Sequence, residues 1–465
     1  MGKFFLAGKI LEEKTTIEQK RRQDILTGGL YSLIIKLSLP LMLSNLIQTV
    51  YSLTDTYFVS MIGDEQVAAV GFVWPMVFMY MALGLGVSLG ARGIISQRIG
   101  SGDDEGAAQA SGQTISFMVV VSALLSILGI IFVPYILKLM GGTGTILSDG
   151  TSYSRIIIMG MPLMYAFFAY QTISQSEGNM MTPMYVLLFS IVLNIALDPI
   201  FILVLGWGVN GAAIATTISR FAALGPVIYL IYKNKNSCFS RSLKHMKMHK
   251  ETIKEILKIG MPSGVGRVTS AIGFMVMNGF IISYGTYVMT AFVIGNRITS
   301  LVMMPVMGIG SAVTTIIGQN IGAQNIERAK QALKKTLVVA IGFAVIGVTI
   351  LFFLKTQFIG LFTSTPEVIK SAVNYTNVVM LSLPLMAVFQ SMSGFFIGTK
   401  HTMMSMTGDL ARLWALRIPL ILLFKFGFHM DEFAIWWPML ISNFLADSLY
   451  MIMYVSKKWQ EPVIK

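Results

Sequence analysis

Apolar runs long enough to cross a lipid bilayer recur along the whole chain, separated by short polar segments. A spanning helix needs about 20 mainly apolar residues, so this pattern predicts about twelve membrane-spanning helices. The predicted spans are residues 33–61, 66–97, 107–137, 152–176, 181–205, 209–232, 256–283, 287–319, 329–354, 368–394, 403–426 and 433–455. We therefore predict an all-α polytopic membrane protein.

Composition and charge support this class. The 465 residues are 54% hydrophobic and only 12% charged, whereas soluble domains carry about 25% charged residues. The net charge of +13 comes from Lys and Arg concentrated near the amino terminus and in alternate loops, as cytoplasmic loops require. We therefore expect no nucleic-acid partner, a plasma-membrane protein with both termini cytoplasmic, and no cleaved signal peptide, because the first apolar run is too long for one.

The chain divides into two similar halves at the basic loop after the sixth span. Shifting the sequence by about 222 residues aligns matching residues without gaps. The matched pairs include Pro40 with Pro262, Gly86 with Gly308, Gln97 with Gln319, Gly100 with Gly322 and Tyr153 with Tyr375. Each half holds an even number of spans, which predicts two six-helix lobes related by a parallel repeat, as in transporters that alternate access between their lobes.

These features predict five regions. They are a cytoplasmic leader (1–32), an N-lobe (33–232), a cytoplasmic basic linker (233–252), a C-lobe (253–456) and a cytoplasmic tail (457–465).

A carboxylate inside the first span is the strongest chemical signal. Asp55 would cost about 2.5–3.5 kcal/mol at mid-membrane, so it needs a partner, a proton or a function. Counting about 1.5 Å per residue places Asp55 about 9 Å below the outer end of its span, and Asp198 lies at nearly the same depth. Asn194, Thr216 and Gln48 lie at that level or one to two turns below it. This layer predicts a site that takes up a proton or a sodium ion, because two close carboxylates do not both ionise cheaply. In the alternative interpretation, Asp198 caps its helix and Asp55 bonds to nearby backbone.

Other polar residues give weaker signals. Asp447 and Arg297 lie at similar depths, which predicts a structural ion pair. His245 and His249 are four residues apart in a basic loop, where solvent exposure is a better explanation than a metal site. No span combines His, Cys and carboxylates in the manner of an active site, so we expect neither an enzyme nor a resident cofactor.

Two sequence motifs resemble one family. LSLPLMLSNLIQTVYSLTDTYFVSMIG followed by VAAVG resembles the first helix of MATE multidrug and toxic compound extrusion transporters, and NIALDPIFI followed by GVNGAAIATTIS resembles their fifth and sixth helices. The resemblance covers essentially the whole chain, including the repeat. It implies an antiporter of cationic, often aromatic compounds, driven by inward proton or sodium flow.

The resemblance also implies roles for single residues. Asp55 matches the acid of helix one that takes part in coupling, and Asp198 and Asn194 match the acid and amide of the prokaryotic branch with an N-lobe ion site. Gln48 and Thr216 match polar positions of the same network, and the resemblance adds Tyr153 and Gln171, although Gln171 lies deeper by our count. A second branch carries acids within helices seven and ten, where this chain has only Glu255 and Glu367 at the helix ends.

The predicted function is therefore export of small cationic amphiphiles by a monomer embedded in membrane lipid. An alternative is a flippase for lipids or lipid-linked glycans, in which Arg267 and Arg297 would bind a phosphate. A channel is disfavoured by the two-lobe repeat.

Overall fold

The structure is a computed structural model that describes residues 17–461 and residue 463, and the described chain is helical without strands. The helices that precede the long basic loop are α1 (Ile17–Thr27), α2 (Leu30–Ser60), α3 (Asp64–Ser101), α4 (Asp104–Leu139), α5 (Gly144–Met159), α6 (Met161–Ser176), α7 (Met181–Pro199) and α8 (Gly208–Lys233). The helices that follow are α9 (Cys238–Ser242), α10 (Lys250–Ile282), α11 (Thr286–Gly322), α12 (Ile326–Gly360), α13 (Pro366–Gly398), α14 (Thr402–Leu410), α15 (Ile418–Leu422) and α16 (Phe433–Val455). We call α2–α8 the N-lobe and α10–α16 the C-lobe.

The number of spans agrees with the prediction. Within the described residues, ten helices are long and apolar enough to cross a membrane, and α5 with α6 form an eleventh span. The remaining predicted span, residues 403–426, corresponds to the run from α14 to residue 427, in which π-helical turns at Ala411–Arg417 and Leu423–Gly427 flank α15. The all-α polytopic class is therefore confirmed.

One predicted span is bent. The sequence predicts a single helix over residues 152–176, but α5 and α6 meet at an angle of 44°. The break lies at Gly160, two residues before Pro162. Proline lacks a backbone donor and its ring crowds the preceding turn, so a continuous helix is disfavoured here.

The connections between spans define two faces of the bundle. We call the face that holds α1, α9 and the loop of residues 234–249 the basic face, because its connections carry most of the loop Lys and Arg. The connections at the opposite face are short, for example residues 61–63, 205–207 and 283–285.

The lobes contact each other through symmetry-equivalent helix pairs. Helix α2 packs on α11, and its repeat counterpart α10 packs on α3. A Cβ atom on Gly86 would collide with the backbone of Gly264, and a Cβ on Gly308 would come within 2.8 Å of the Met42 amide nitrogen. These two contacts occupy equivalent positions of the repeat, so small residues allow the same close approach twice.

The lobes are closed at the basic face. A Cβ on Gly100 would collide with the Gln319 carbonyl, and a Cβ on Gly322 with the Gln97 carbonyl, which again are repeat-equivalent contacts. Cross-lobe bonds reinforce the closure: Arg98 of the N-lobe donates to Glu255 of the C-lobe at 2.8 Å, and Gln97 donates to the Gly398 carbonyl at 2.9 Å.

Beneath α1, between α6 and α7, lies a buried carboxyl group. The Glu177 side chain is 7% exposed and accepts a hydrogen bond from the Cys238 amide. Burial, helped by the charge of Glu18, raises the pKa of Glu177 to about 7, against the opposing effects of the Cys238 amide and of two arginines, Arg21 and Arg241.

We expect Glu177→Gln to stabilise the protein at neutral pH. Because the folded pKa lies above the unfolded value of 4.5, the wild type loses stability as pH rises from about 4.5 to about 7, and the loss persists at higher pH. The variant does not lose this stability, because glutamine does not ionise. Its amide oxygen can still accept the hydrogen bond from the Cys238 amide. The difference in melting temperature between the variant and the wild type should therefore grow as the pH is raised from about 5 to about 8.

A thiol-reactive dye can report this melting. Cys238 is the sole cysteine, and burial raises the pKa of its thiol to about 12, so it reacts only once the region unfolds. Glu367→Gln, at an exposed position, is the matched control. A difference between Glu177→Gln and wild type that stays constant with pH would contradict the assignment.

Candidate functional site

Three N-lobe helices bring polar side chains together near the face opposite the basic face. Helix α2 contributes Asp55, which lies five residues before its last residue, Ser60. Helix α7 contributes Asn194 and Asp198, one turn apart, and Asp198 is the penultimate residue before the helix continues as a π-helical turn at Ile200–Val204. Helix α8 contributes Thr216.

Direct hydrogen bonds link the residues of α7 and α8. Asn194 Nδ2 donates to Asp198 Oδ1 at 3.0 Å and lies 3.5 Å from Thr216 Oγ1. The Tyr51 hydroxyl of α2 lies 3.2 Å from the same Thr216 oxygen, and either group can donate. Asp55 and Asp198 interact electrostatically with each other. The structure therefore places both acids in one polar network across α2, α7 and α8, in which Asp198 is hydrogen-bonded and Asp55 interacts electrostatically.

Three buried oxygens of this network receive no hydrogen bond from any residue that the structure describes. They are Asp55 Oδ1, Asp198 Oδ2 and Asn194 Oδ1. An unsatisfied buried oxygen costs about 1–3 kcal/mol, and hard cations prefer carboxylate and carbonyl oxygens. This donor set can thus be satisfied by protons on the carboxylates or by a bound hard cation.

A cavity of about 100 Å³ lies beside the network within the N-lobe. Gln48, Gln171, Asn194 and Thr216 contribute polar atoms to its wall. The rest is mainly apolar, with the aromatic and thioether side chains Met81, Met164, Phe167 and Phe168. The cavity can therefore hold an apolar or aromatic group beside the polar network.

The remaining predicted residues lie at this site. Tyr153 interacts electrostatically with Asp55, Asp198 and Tyr51, so α5 closes the network on another side. Gln171 lines the cavity together with Gln48, which agrees with its deeper position. Asp198 does not act as a terminal cap, because the helical backbone continues beyond it.

The sequence interpretation missed two residues of this site. Tyr51 lies one helical turn before Asp55, and Arg220 lies one turn after Thr216. Both interact electrostatically with Asp55. Helical spacing alone could have indicated both, since residues four apart share a helix face.

The predicted ion pair between Arg297 and Asp447 is wrong. Arg297 is exposed, and the arginine that interacts electrostatically with Asp447 is Arg412. Arg412 stacks on the Phe389 ring, with its guanidinium carbon 4.3 Å from the ring centroid. The depth count ignored the rotation of α11 about its axis, which places Arg297 at an exposed position.

The two-lobe helical fold, its internal repeat and an intramembrane polar site together define a membrane transporter with many spans. The chain belongs to the MatE family, whose model matches residues 40–200 and again residues 262–423. The two matches begin at the repeat-equivalent residues Pro40 and Pro262, so the family model recognises each lobe separately.

Curated relatives carry transporter names. The chain is 27% identical over 404 residues to the probable multidrug resistance protein YoeA of Bacillus subtilis, covering 85% of this chain and 87% of the relative. It is 25% identical to the probable multidrug resistance protein NorM of Thermotoga maritima, with 93% of each chain covered. It is 28% identical to the multidrug export protein MepA of Staphylococcus aureus, with 76% of this chain and 78% of the relative covered.

Solved structures share the whole fold. An outward-facing multidrug resistance MATE transporter of the MOP superfamily superposes with a TM-score of 0.89 at 25% identity, covering 96% of this chain and 98% of that one. A MOP superfamily transporter from Pyrococcus furiosus, described as having a binding pocket of reverse polarity, gives the same TM-score and identity over 97% and 100% of the two chains.

Proposed function

We propose that this protein is a cation-coupled antiporter that exports cationic amphiphilic drugs or toxins across the plasma membrane. The observation that carries the proposal is the interacting pair of half-buried Asp55 and buried Asp198, each with one unsatisfied buried oxygen, beside an aromatic cavity. The names of the multidrug relatives support the substrate class.

In the proposed cycle the basic face is cytoplasmic and the lobes, residues 33–232 and 253–456, are the moving units. The closed basic face then corresponds to an outward-facing state, in which external protons or sodium ions reach Asp55 and Asp198. Ion binding neutralises the site, and the cationic substrate dissociates outward. The lobes then rock, and the ion is released to the cytoplasm.

The cavity must widen to hold a whole drug molecule. Sites for drug-sized ligands measure about 300–1,000 Å³, whereas the cavity here measures about 100 Å³. Side chains of Met81 and Met164 suit such a change, because methionine is flexible and adapts to different ligands.

Efflux of a fluorescent monovalent cation from proteoliposomes tests the proposal. Sodium and pH gradients are imposed separately. We expect one of the two gradients to drive the fluorescent cation against the concentration gradient of that cation. Lipid scrambling is measured in the same vesicles, with protein-free vesicles as the control. Scrambling without gradient-driven cation movement would replace the antiporter with the flippase.

A further inference from the structure

Arg220 brings a positive charge to the site that should bind cations. Among the described residues, it is the only charged side chain that lines the cavity. It interacts electrostatically with Asp55, Tyr51 and Tyr153, yet no described carboxylate forms a salt bridge with it within 4.0 Å. Its charge therefore acts on the site through space and remains directed at the cavity.

The formal charge of the site follows from three groups. Asp55 and Asp198 contribute two negative charges when ionised, Arg220 contributes one positive charge, and the phenols Tyr51 and Tyr153 are neutral at physiological pH. With both acids ionised in the presence of Arg220, the empty site therefore carries minus one. One proton or sodium ion makes it neutral, and a second makes it positive.

The same site without the arginine would behave differently. It would carry minus two when empty, and a single ion would leave it at minus one, which still attracts a cation. Release of a monovalent substrate would then require two ions. The empty site would also favour divalent over monovalent cations, because Coulomb energy scales with the product of the charges.

We infer that Arg220 is a built-in counter-charge that sets the coupling ratio at one ion per monovalent substrate and disfavours divalent cations. This inference rests on the proposed antiport function and specifies its stoichiometry and substrate charge. Arg220 is a specificity-determining residue in this scheme: it lines the cavity and acts on the substrate through the net charge of the site.

The test compares wild type, Arg220→Met and Arg220→Lys in proteoliposomes. The probes are tetraphenylphosphonium, a monovalent cation, and methyl viologen, a divalent cation. The reversal potential of coupled transport reports the ion-to-substrate ratio. Arg155→Gln is the control, because this arginine is exposed and bonds only the Ile130 carbonyl among the described contacts.

We expect wild type, Arg220→Lys and the control to move one ion per tetraphenylphosphonium. Arg220→Met should need two ions, bind tetraphenylphosphonium roughly 10-fold more tightly and transport methyl viologen. A merely structural arginine would change expression or rate without changing the reversal potential. Arg220→Met with the wild-type ratio and the wild-type charge preference would overturn the inference.

A second pair of variants tests the same charge count by removing a negative charge instead of the positive one. Asp198→Asn leaves the empty site neutral, so tetraphenylphosphonium binding should fall roughly 10-fold or more. Adding Arg220→Met to Asp198→Asn returns the site to minus one and should restore binding. Binding that stays weak in this double variant would refute the charge count even if Arg220→Met alone folds poorly.

Failure of antiport and failure of the Arg220 role give different results in these experiments. If neither gradient drives tetraphenylphosphonium in wild type, the antiport proposal and this inference both fall. If wild type is coupled and Arg220→Met keeps its ratio, only the role of Arg220 falls.

Discussion

Asp55→Asn abolishes gradient-driven export, to below about one tenth of the wild-type rate, while the protein still inserts and folds. Asparagine keeps the size and the acceptor oxygen of the side chain but neither ionises nor releases a proton at physiological pH. With Asp198 and Arg220 unchanged, the empty site of the variant is already neutral, which is the charge that the wild-type site has only after it binds an ion. Ion binding then no longer switches the site from a cation-attracting to a neutral state, so the ion gradient no longer drives release of the substrate. Folding is preserved because no described ion pair depends on Asp55.

Efflux under an imposed gradient measures this loss, and equilibrium binding of the fluorescent cation should fall roughly 10-fold, as for Asp198→Asn, because the empty site is neutral in both variants. Asp24→Asn is the matched control, because this aspartate is exposed and pairs with Lys36 at 3.1 Å. Export at the wild-type rate in Asp55→Asn, with the gradient still required, would exclude this carboxylate from coupling.

Gly100→Ala opens the basic face, and Gly322→Ala has the same effect. The added methyl group of each variant would collide with a backbone carbonyl of the other lobe, Gln319 in one case and Gln97 in the other. Overpacking of this kind costs about 1–3 kcal/mol. The closed state should therefore lose roughly 5- to 150-fold in population relative to states in which this face is open. Since the contacts are related by the repeat, we expect similar shifts for both variants.

A reporter cysteine can measure this opening. Ser96 is fully buried and packs against Gly318 of the other lobe, so a Ser96→Cys thiol in a Cys238→Ser background should react only when the lobes separate. Both glycine variants should speed its alkylation. Gly342→Ala is the control, because a Cβ there meets open space. Unchanged alkylation in both variants would show that these contacts do not control closure.

Much of the architecture could be predicted because lipid penalises polar groups so strongly. Unpaired backbone and charged side chains are costly in the bilayer, so span positions appear directly in the hydropathy pattern. The repeat followed from Pro, Gly and Gln residues at matching positions, and two of these pairs, Gly100 with Gly322 and Gln97 with Gln319, form the contacts that close the basic face. The MATE resemblance predicted the family, which is confirmed.

The rotation of each helix about its axis could not be predicted from the sequence. A rise of 1.5 Å per residue estimates depth, but it does not say which neighbour a side chain faces. Depth alone therefore paired Asp447 with Arg297, whereas Arg412 is the arginine that interacts with it electrostatically in the structure.

The sequence by itself determined that this chain is a two-lobe membrane transporter with an acid in its first span, because those properties depend on hydrophobicity and local order along the chain. Only the tertiary structure decided that Tyr51 and Arg220 join Asp55 and Asp198, and that π-helical turns follow Asp198. These features depend on how α2, α7 and α8 pack against one another, and packing of that kind is set by contacts between residues far apart in the chain.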